Sequence, residues 1–173
     1  MSWDLRPFDL PKIGNNIAHM AEEPSDTDIE LFGSVFVFMQ QLTFRAEEHL
    51  RPLGLTSRQW LLLGVIGKAF PGRAPTISEA AAVFGTSRQN VKQVASQLER
   101  GGWLRLEPDP ADRRAIRLVL TDQLAVFDDP AVQADQAAFV LSVFGGLTQR
   151  ERRALLDMVT RCSSRLSSPA GGG

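Results

Sequence analysis

Between Thr86 and Arg117 the chain gathers side chains suited to binding anions and reading hydrogen-bonding edges. Arg88, Lys92, Arg100, Arg105, Arg113, Arg114 and Arg117 stand there against Glu99, Glu107, Asp109 and Asp112, a local excess of three positive charges. The remainder holds twelve basic and sixteen acidic residues, so a net charge of −1 conceals a divided distribution. Arginine's planar fork matches the paired acceptors of a guanine edge, and the asparagine or glutamine amide matches adenine. Arg88, Gln89, Asn90 and Gln93 are of this kind. Lys92 is a point charge suited to phosphate, and Thr86 and Ser87 lie where a helix would present its positive end. On an isolated amphipathic helix such residues are ordinarily a solvated face. The frame around them changes that reading.

That frame has two parts. In Ile77-Ser-Glu-Ala-Ala-Ala-Val-Phe-Gly-Thr-Ser-Arg-Gln-Asn-Val91, small Ala81, Gly85 and apolar Val91 are spaced for two short helices crossing steeply around a turn that needs positive φ. Then Trp103-Leu-Arg-Leu106 and Ala115-Ile-Arg-Leu-Val-Leu120 read as two strands around Glu107-Pro-Asp-Pro-Ala-Asp-Arg-Arg114. Together they predict a winged helix-turn-helix over about 56–121. At the wing tip, Asp112 and Arg114 are spaced for the carboxylate to orient the guanidinium. A narrow A·T-rich minor groove attracts such an arginine, and Arg113 is placed for the flanking phosphate. The plain alternative is a salt bridge on a hairpin turn.

Four capping boxes set the helix starts: Thr56-x-x-Gln59, Thr76-x-x-Glu79, Thr86-x-x-Gln89 and Thr148-x-x-Glu151. They predict helices over roughly 57–68, 77–84, 87–100 and 149–166, the third stopped by Gly101-Gly102. A long helix is expected from Thr27 to about Arg51. Its stripe of Leu31, Val35, Phe38 and Leu42, widened by Phe32, Phe36 and Met39, calls for cover on more than one side, as a subunit interface supplies. After Thr121 a further helical region begins, and Pro130 either opens a new helix or kinks a continuous one. The last helix carries Leu155, Val159, Cys162 and Leu166, where a buried thiol is the default. Residues 1–26 read as an irregular arm and 167–173 as a disordered tail.

A length of 173 residues suits one domain, and no apolar run approaches the span of a membrane. The N-terminus lacks the pattern of a signal peptide, and a single cysteine suits a reducing, cytoplasmic setting. Two distant histidines and one cysteine give no metal-ligand spacing, and no phosphate-cradling glycine loop or nucleophile–base pair stands out. An enzyme is not expected, nor a cofactor. His19 has no obvious partner.

The order of long helix, Gly54-Leu-Thr-x-x-Gln-Trp60, helix-turn-helix, Asp109-Pro-Ala-Asp-Arg-Arg-Ala115, Leu118-Val-Leu-Thr121 and two closing helices resembles the MarR family of bacterial transcription regulators, over roughly residues 28–166. The resemblance implies a mainly α fold with a small β-hairpin wing, its N- and C-terminal helices (about 27–51 and 122–166) forming a homodimer base. It implies a repressor bound to a pseudo-palindromic operator in double-stranded DNA and released by a small aromatic effector lodged between those helices and the DNA-binding lobe. Thr86 to Asn90, Lys92, Gln93 and Asp112 to Arg114 would then be the DNA-binding residues. Phe44, His49 and Trp60 are candidates for the effector pocket, although Trp60 reads by default as core and His49 as a surface or cap residue near Pro52. One departure is Leu106-Glu107, where relatives often carry basic residues and where Glu107 would repel phosphate. Peroxide-sensing members use an N-terminal cysteine, and this chain has none there. A second reading is a winged-helix dimer that binds a protein and not DNA, supported by Glu107 and the acidic remainder.

Overall fold

The computed structural model describes residues 23–167, which fall into two compact units, one up to Val37 and one from Phe38 onward. Most of the expected arm, His19 included, and the tail after Ser167 lie outside the described residues.

In the first unit, helix α1 (Asp26–Leu50) opens on a reciprocal cap. The Asp28 carboxylate accepts from the Ser25 hydroxyl (2.6 Å) and N–H (2.8 Å), which hold its carboxyl below the ordinary value, and the Ser25 oxygen accepts the Asp28 N–H. The rings of Phe32 and Phe36 meet one turn apart at a tilt of 57°, 4.8 Å between centroids, and both are exposed, as are Leu31 and Val35.

In the second unit, α1 ends at Leu50 and a 3₁₀ turn (Arg51–Leu53) leads to α2 (Ser57–Ala69), α3 (Ile77–Phe84), α4 (Arg88–Arg100), the antiparallel hairpin β1 (Leu104–Pro108) and β2 (Ile116–Leu120), a 3₁₀ segment (Asp122–Asp128), α5 (Pro130–Phe144) and α6 (Gln149–Ser167). The capping boxes at Thr56, Thr76 and Thr148 form as expected, each hydroxyl accepting the N–H three residues on while Gln59, Glu79 or Glu151 reaches back. The box expected at Thr86 does not. Ser87 caps α4 instead, accepting the Asn90 N–H at 3.2 Å. Two adjacent hydroxyl residues compete for that role, and the turn after Gly85 extends through Thr86 before the helix begins. Pro130 opens a new helix, and Asp129 caps it by accepting the Ala131 N–H at 2.7 Å.

The core lies in the winged helix-turn-helix. Leu62 and Ile66 of α2, Ala80 and Ala81 of α3, Val91, Val94, Ala95 and Leu98 of α4, Trp103, Leu104 and Leu118 form one buried cluster. Ala81 supplies the small crossing residue, and Gly85 turns the chain at φ 68°. A Cβ there would meet no atom within 4 Å, so backbone conformation alone calls for glycine. Outside this cluster the closing helices are thinly covered. Val159 and Leu166 are exposed, and so is Cys162, against the expectation of a buried thiol. The stripe that suggested burial is present, but the chain's own core lies elsewhere.

Candidate nucleic-acid interface

Helix α4 divides cleanly. Val91, Val94, Ala95 and Leu98 face the core, while Arg88, Gln89, Lys92 and Gln93 are exposed on the opposite side. These four recur at helical spacing, so one row of side chains, two cationic and two amide, is offered outward. Asn90 lies between the faces. Its side-chain Nδ2 donates to the Thr86 hydroxyl at 2.7 Å, and Thr86 is half-buried with it. Ser87 puts its oxygen on the Asn90 N–H, so Thr86 and Ser87 shape the approach to α4.

The wing tip is organised by Asp109, which is 5% exposed. One carboxylate oxygen accepts the N–H groups of Ala111 (2.7 Å) and Asp112 (3.1 Å); the other meets the Arg117 guanidinium at 2.6 Å. These bonds, Ala111's first, hold its carboxyl below the ordinary range although burial pushes the other way. Asp112 accepts the backbone N–H of Arg114 at 3.0 Å. The expected link to the Arg114 guanidinium is not made, because the tight turn brings that amide nearer than the side chain. Arg113 and Arg114 therefore project from the apex, exposed and without an ion pair among the described residues.

Glu107 is neutralised within its own strand. It pairs with Arg105 at 2.9 Å, although the residue facing it across the register is Arg117. Arg105 and Arg117, counted in the basic segment, are thus engaged internally, while Arg88, Lys92, Arg100, Arg113 and Arg114 have no ion-pair partner among the described residues.

Several polar contacts hold this lobe together that the sequence did not flag. Glu47, near the end of α1, accepts both the N–H and hydroxyl of Ser57 at the start of α2. Gln59, the capping residue of α2, also donates to Gln97 of α4 at 3.3 Å. Glu99 accepts the Leu106 N–H, joining α4 to the first wing strand. Each joins residues distant in sequence or unrelated in pattern, so no local spacing signals it.

The three candidate pocket residues occupy different environments. Phe44 is 61% exposed and lines an open groove with Gln40, Gln41 and Arg45. Trp60 is 43% exposed, not core, because α2 turns Leu62, Leu63 and Ile66 inward instead. His49 is mostly covered, not a surface cap. Its ring stacks on Phe139 at 4.5 Å, with Nδ1 at 3.5 Å from Asp135. Among the described residues no cluster of three metal-ligating side chains occurs, and no helix is long and apolar enough to cross a membrane.

A helix-turn-helix whose second helix offers its outer face, followed by a hairpin with cations at its apex, is a winged helix-turn-helix. Residues 53–115, a stretch that takes in the helix-turn-helix and the wing tip, match the MarR family. Over 68 residues it is 31% identical to the transcriptional activatory protein BadR of Rhodopseudomonas palustris, a match covering 39% of each chain. The chain thus spans about two fifths of that relative's length. The fold is shared with Sco3205, a MarR family regulator of Streptomyces coelicolor solved in complex with DNA (TM-score 0.72, 22% identity, 85% of this chain and 95% of that one). It is shared also with BpsR of Bordetella bronchiseptica, whose structure concerns regulation of its DNA binding by 6-hydroxynicotinic acid (TM-score 0.65, 22% identity, 78% and 98% covered).

Proposed function

We propose that the protein is a sequence-specific DNA-binding transcription regulator that acts as a homodimer on a pseudo-palindromic operator. The observation that carries this reading is the set of cations left unpaired. Arg88 and Lys92 lie on the outward face of α4 and Arg113 and Arg114 at the wing apex, whereas Arg105 and Arg117 are paired inside. In this reading α4 enters the major groove, where Arg88 meets guanine and Gln89, Asn90 or Gln93 meets adenine. Arg114 enters a narrow minor groove, and Lys92, Arg113 and the Thr86–Ser87 approach meet phosphate. Pairing of Glu107 with Arg105 removes the main objection to wing binding and weakens the protein-adaptor alternative.

Dimerisation is favoured by apolar side chains left in solvent: Leu31, Phe32, Val35 and Phe36 in the first unit, and Phe38, Met39, Leu156 and Val159 in the second. A small aromatic effector acting near Phe44, His49 and Trp60 is the reading carried from the family, and BpsR is a relative in fold whose DNA binding responds to such a molecule. Repression by occlusion is the expected outcome of binding. The BadR match favours activation as the alternative.

Fluorescence anisotropy tests the core of the proposal: DNA from upstream of the protein's own gene against scrambled DNA, at two salt concentrations. Preference of about a thousandfold or more, falling steeply with salt, is the expected result. Weak binding indifferent to sequence at both salts overturns it. A promoter fusion then reads the sign of regulation.

A further inference from the structure

Among the described residues Asp109 is the buried charged side chain, and the path that runs through it from the wing tip leaves the wing altogether. Arg117 reaches two separate segments. Its Nη2 meets Asp109 at 2.6 Å, while its Nη1 donates to the carbonyl of Ala74 at 2.7 Å, in the loop that enters α3. The backbone joins at the same place: the Leu118 N–H donates to the Pro75 carbonyl at 2.8 Å, and Arg117 bridges to Thr76. The other Asp109 oxygen holds the Ala111 and Asp112 amides, and Asp112 holds that of Arg114. One chain of contacts therefore runs from the foot of the helix-turn-helix, through Arg117 and Asp109, to the arginine at the apex.

We infer that the Asp109–Arg117 pair is a latch setting the attitude of the wing to the helix-turn-helix, and that Asp109 is a positioning residue for Arg113 and Arg114. This rests on the DNA-binding reading above. Three observations argue for a latch over a decorative salt bridge. Arg117 passes over Glu107, its partner in register, and takes Asp109. Its Nε is buried with no hydrogen-bond partner among the described residues, although the side chain as a whole is 32% exposed, and Asp109 is its anionic partner. Finally, a two-stranded hairpin is marginal by itself, so the position of its tip depends on what stitches it to the lobe. Removing the carboxylate leaves a half-buried cation held by a single carbonyl, and the side chain is then free to turn toward water.

The full-length protein carrying Asp109→Asn, Arg114→Ala or both is titrated onto the upstream duplex, and amide hydrogen exchange is followed across 109–118. Asparagine keeps an acceptor for the two turn amides while removing the charge. Asp109→Asn is expected to weaken binding about tenfold and to make Arg114→Ala nearly silent in the double variant, because residues in one hydrogen-bond network couple. Exchange at Ala111, Asp112 and Leu118 rises. Arg117→Lys, which keeps the charge but loses the second arm, falls between. Equal cost of Arg114→Ala on both backgrounds overturns the positioning role, and unchanged exchange overturns the latch. Absence of specific binding by the unmodified protein sinks the DNA reading, and with it the positioning role, while exchange still decides the latch.

Discussion

Asn90 holds Thr86: its side-chain amide donates to the threonine hydroxyl at 2.7 Å, one turn back. An amide reads an adenine edge by offering an acceptor and an N–H together. In the proposed DNA-binding reading, Asn90 would meet the base with its orientation already chosen and one N–H occupied. Thr86→Val removes the acceptor but keeps the shape. It should reduce discrimination at one base position by part of the usual ~1–3 kcal/mol while leaving the melting temperature nearly unchanged, measured by anisotropy on a panel of single-base operator variants.

Arg88 and Lys92 lie on the same face of α4 but should fail differently. Arg88→Ala is expected to cost about 1–3 kcal/mol and to relax specificity at one position. Lys92→Ala should weaken all sequences alike and reduce the salt slope by about one. Identical effects of the two variants on a base-substitution panel would contradict the assignment.

Glu79 ties the start of α3 to the preceding loop. The Thr76 N–H, then Arg73, then the Thr76 hydroxyl lower its pKa from 4.5 to about 2. Because the folded value is depressed, the ionised carboxylate contributes stability fully above the unfolded value. That contribution is lost as pH falls from about 4.5 through about 2. Unfolding followed from pH 7 downward should show Glu79→Gln less stable than the unmodified protein at neutral pH, with the gap closing across that window. A gap independent of pH would assign the loss to packing.

Gly85 sits at φ 68° with room for a Cβ. Gly85→Ala should therefore destabilise by about 1–2 kcal/mol through backbone conformation alone. Gly85→Asn should recover part of that loss, since asparagine tolerates the left-handed region. Equal losses for both in denaturant titration would point to a steric cause.

How much was legible follows from distance along the chain. The caps at Thr56, Thr76 and Thr148, the turn at Gly85 and the stop at Gly101-Gly102 are local devices, readable from residues three or four apart. The outward face of α4 followed from 3.6-residue periodicity. Hidden from such reading was whatever joins distant segments. Arg117 reaches Ala74 across 43 positions, Gln59 reaches Gln97 across 38, and His49 stacks on Phe139. The competition between Thr86 and Ser87 was hidden for the opposite reason: adjacent residues of like chemistry cannot be ranked without the backbone angle. Asp109 stood within the recognised wing sequence, but its role depends on a partner in the returning strand.

The dimer proposal makes a prediction about size. At micromolar concentration the protein should sediment at twice its monomer mass, because the apolar side chains of α1 and α6 otherwise stay in water. A stable folded monomer there removes the basis for recognising two half-sites.

Cys162 is the chain's single cysteine and is exposed on α6, among the apolar side chains proposed for subunit contact. That makes it a built-in reporter. A thiol reagent modifies one position per chain with no background to subtract, and the rate of labelling measures how often that face is open. Followed against protein concentration, the same reaction yields the association constant. Repeated with operator added, it reveals how strongly DNA occupancy and subunit pairing reinforce one another.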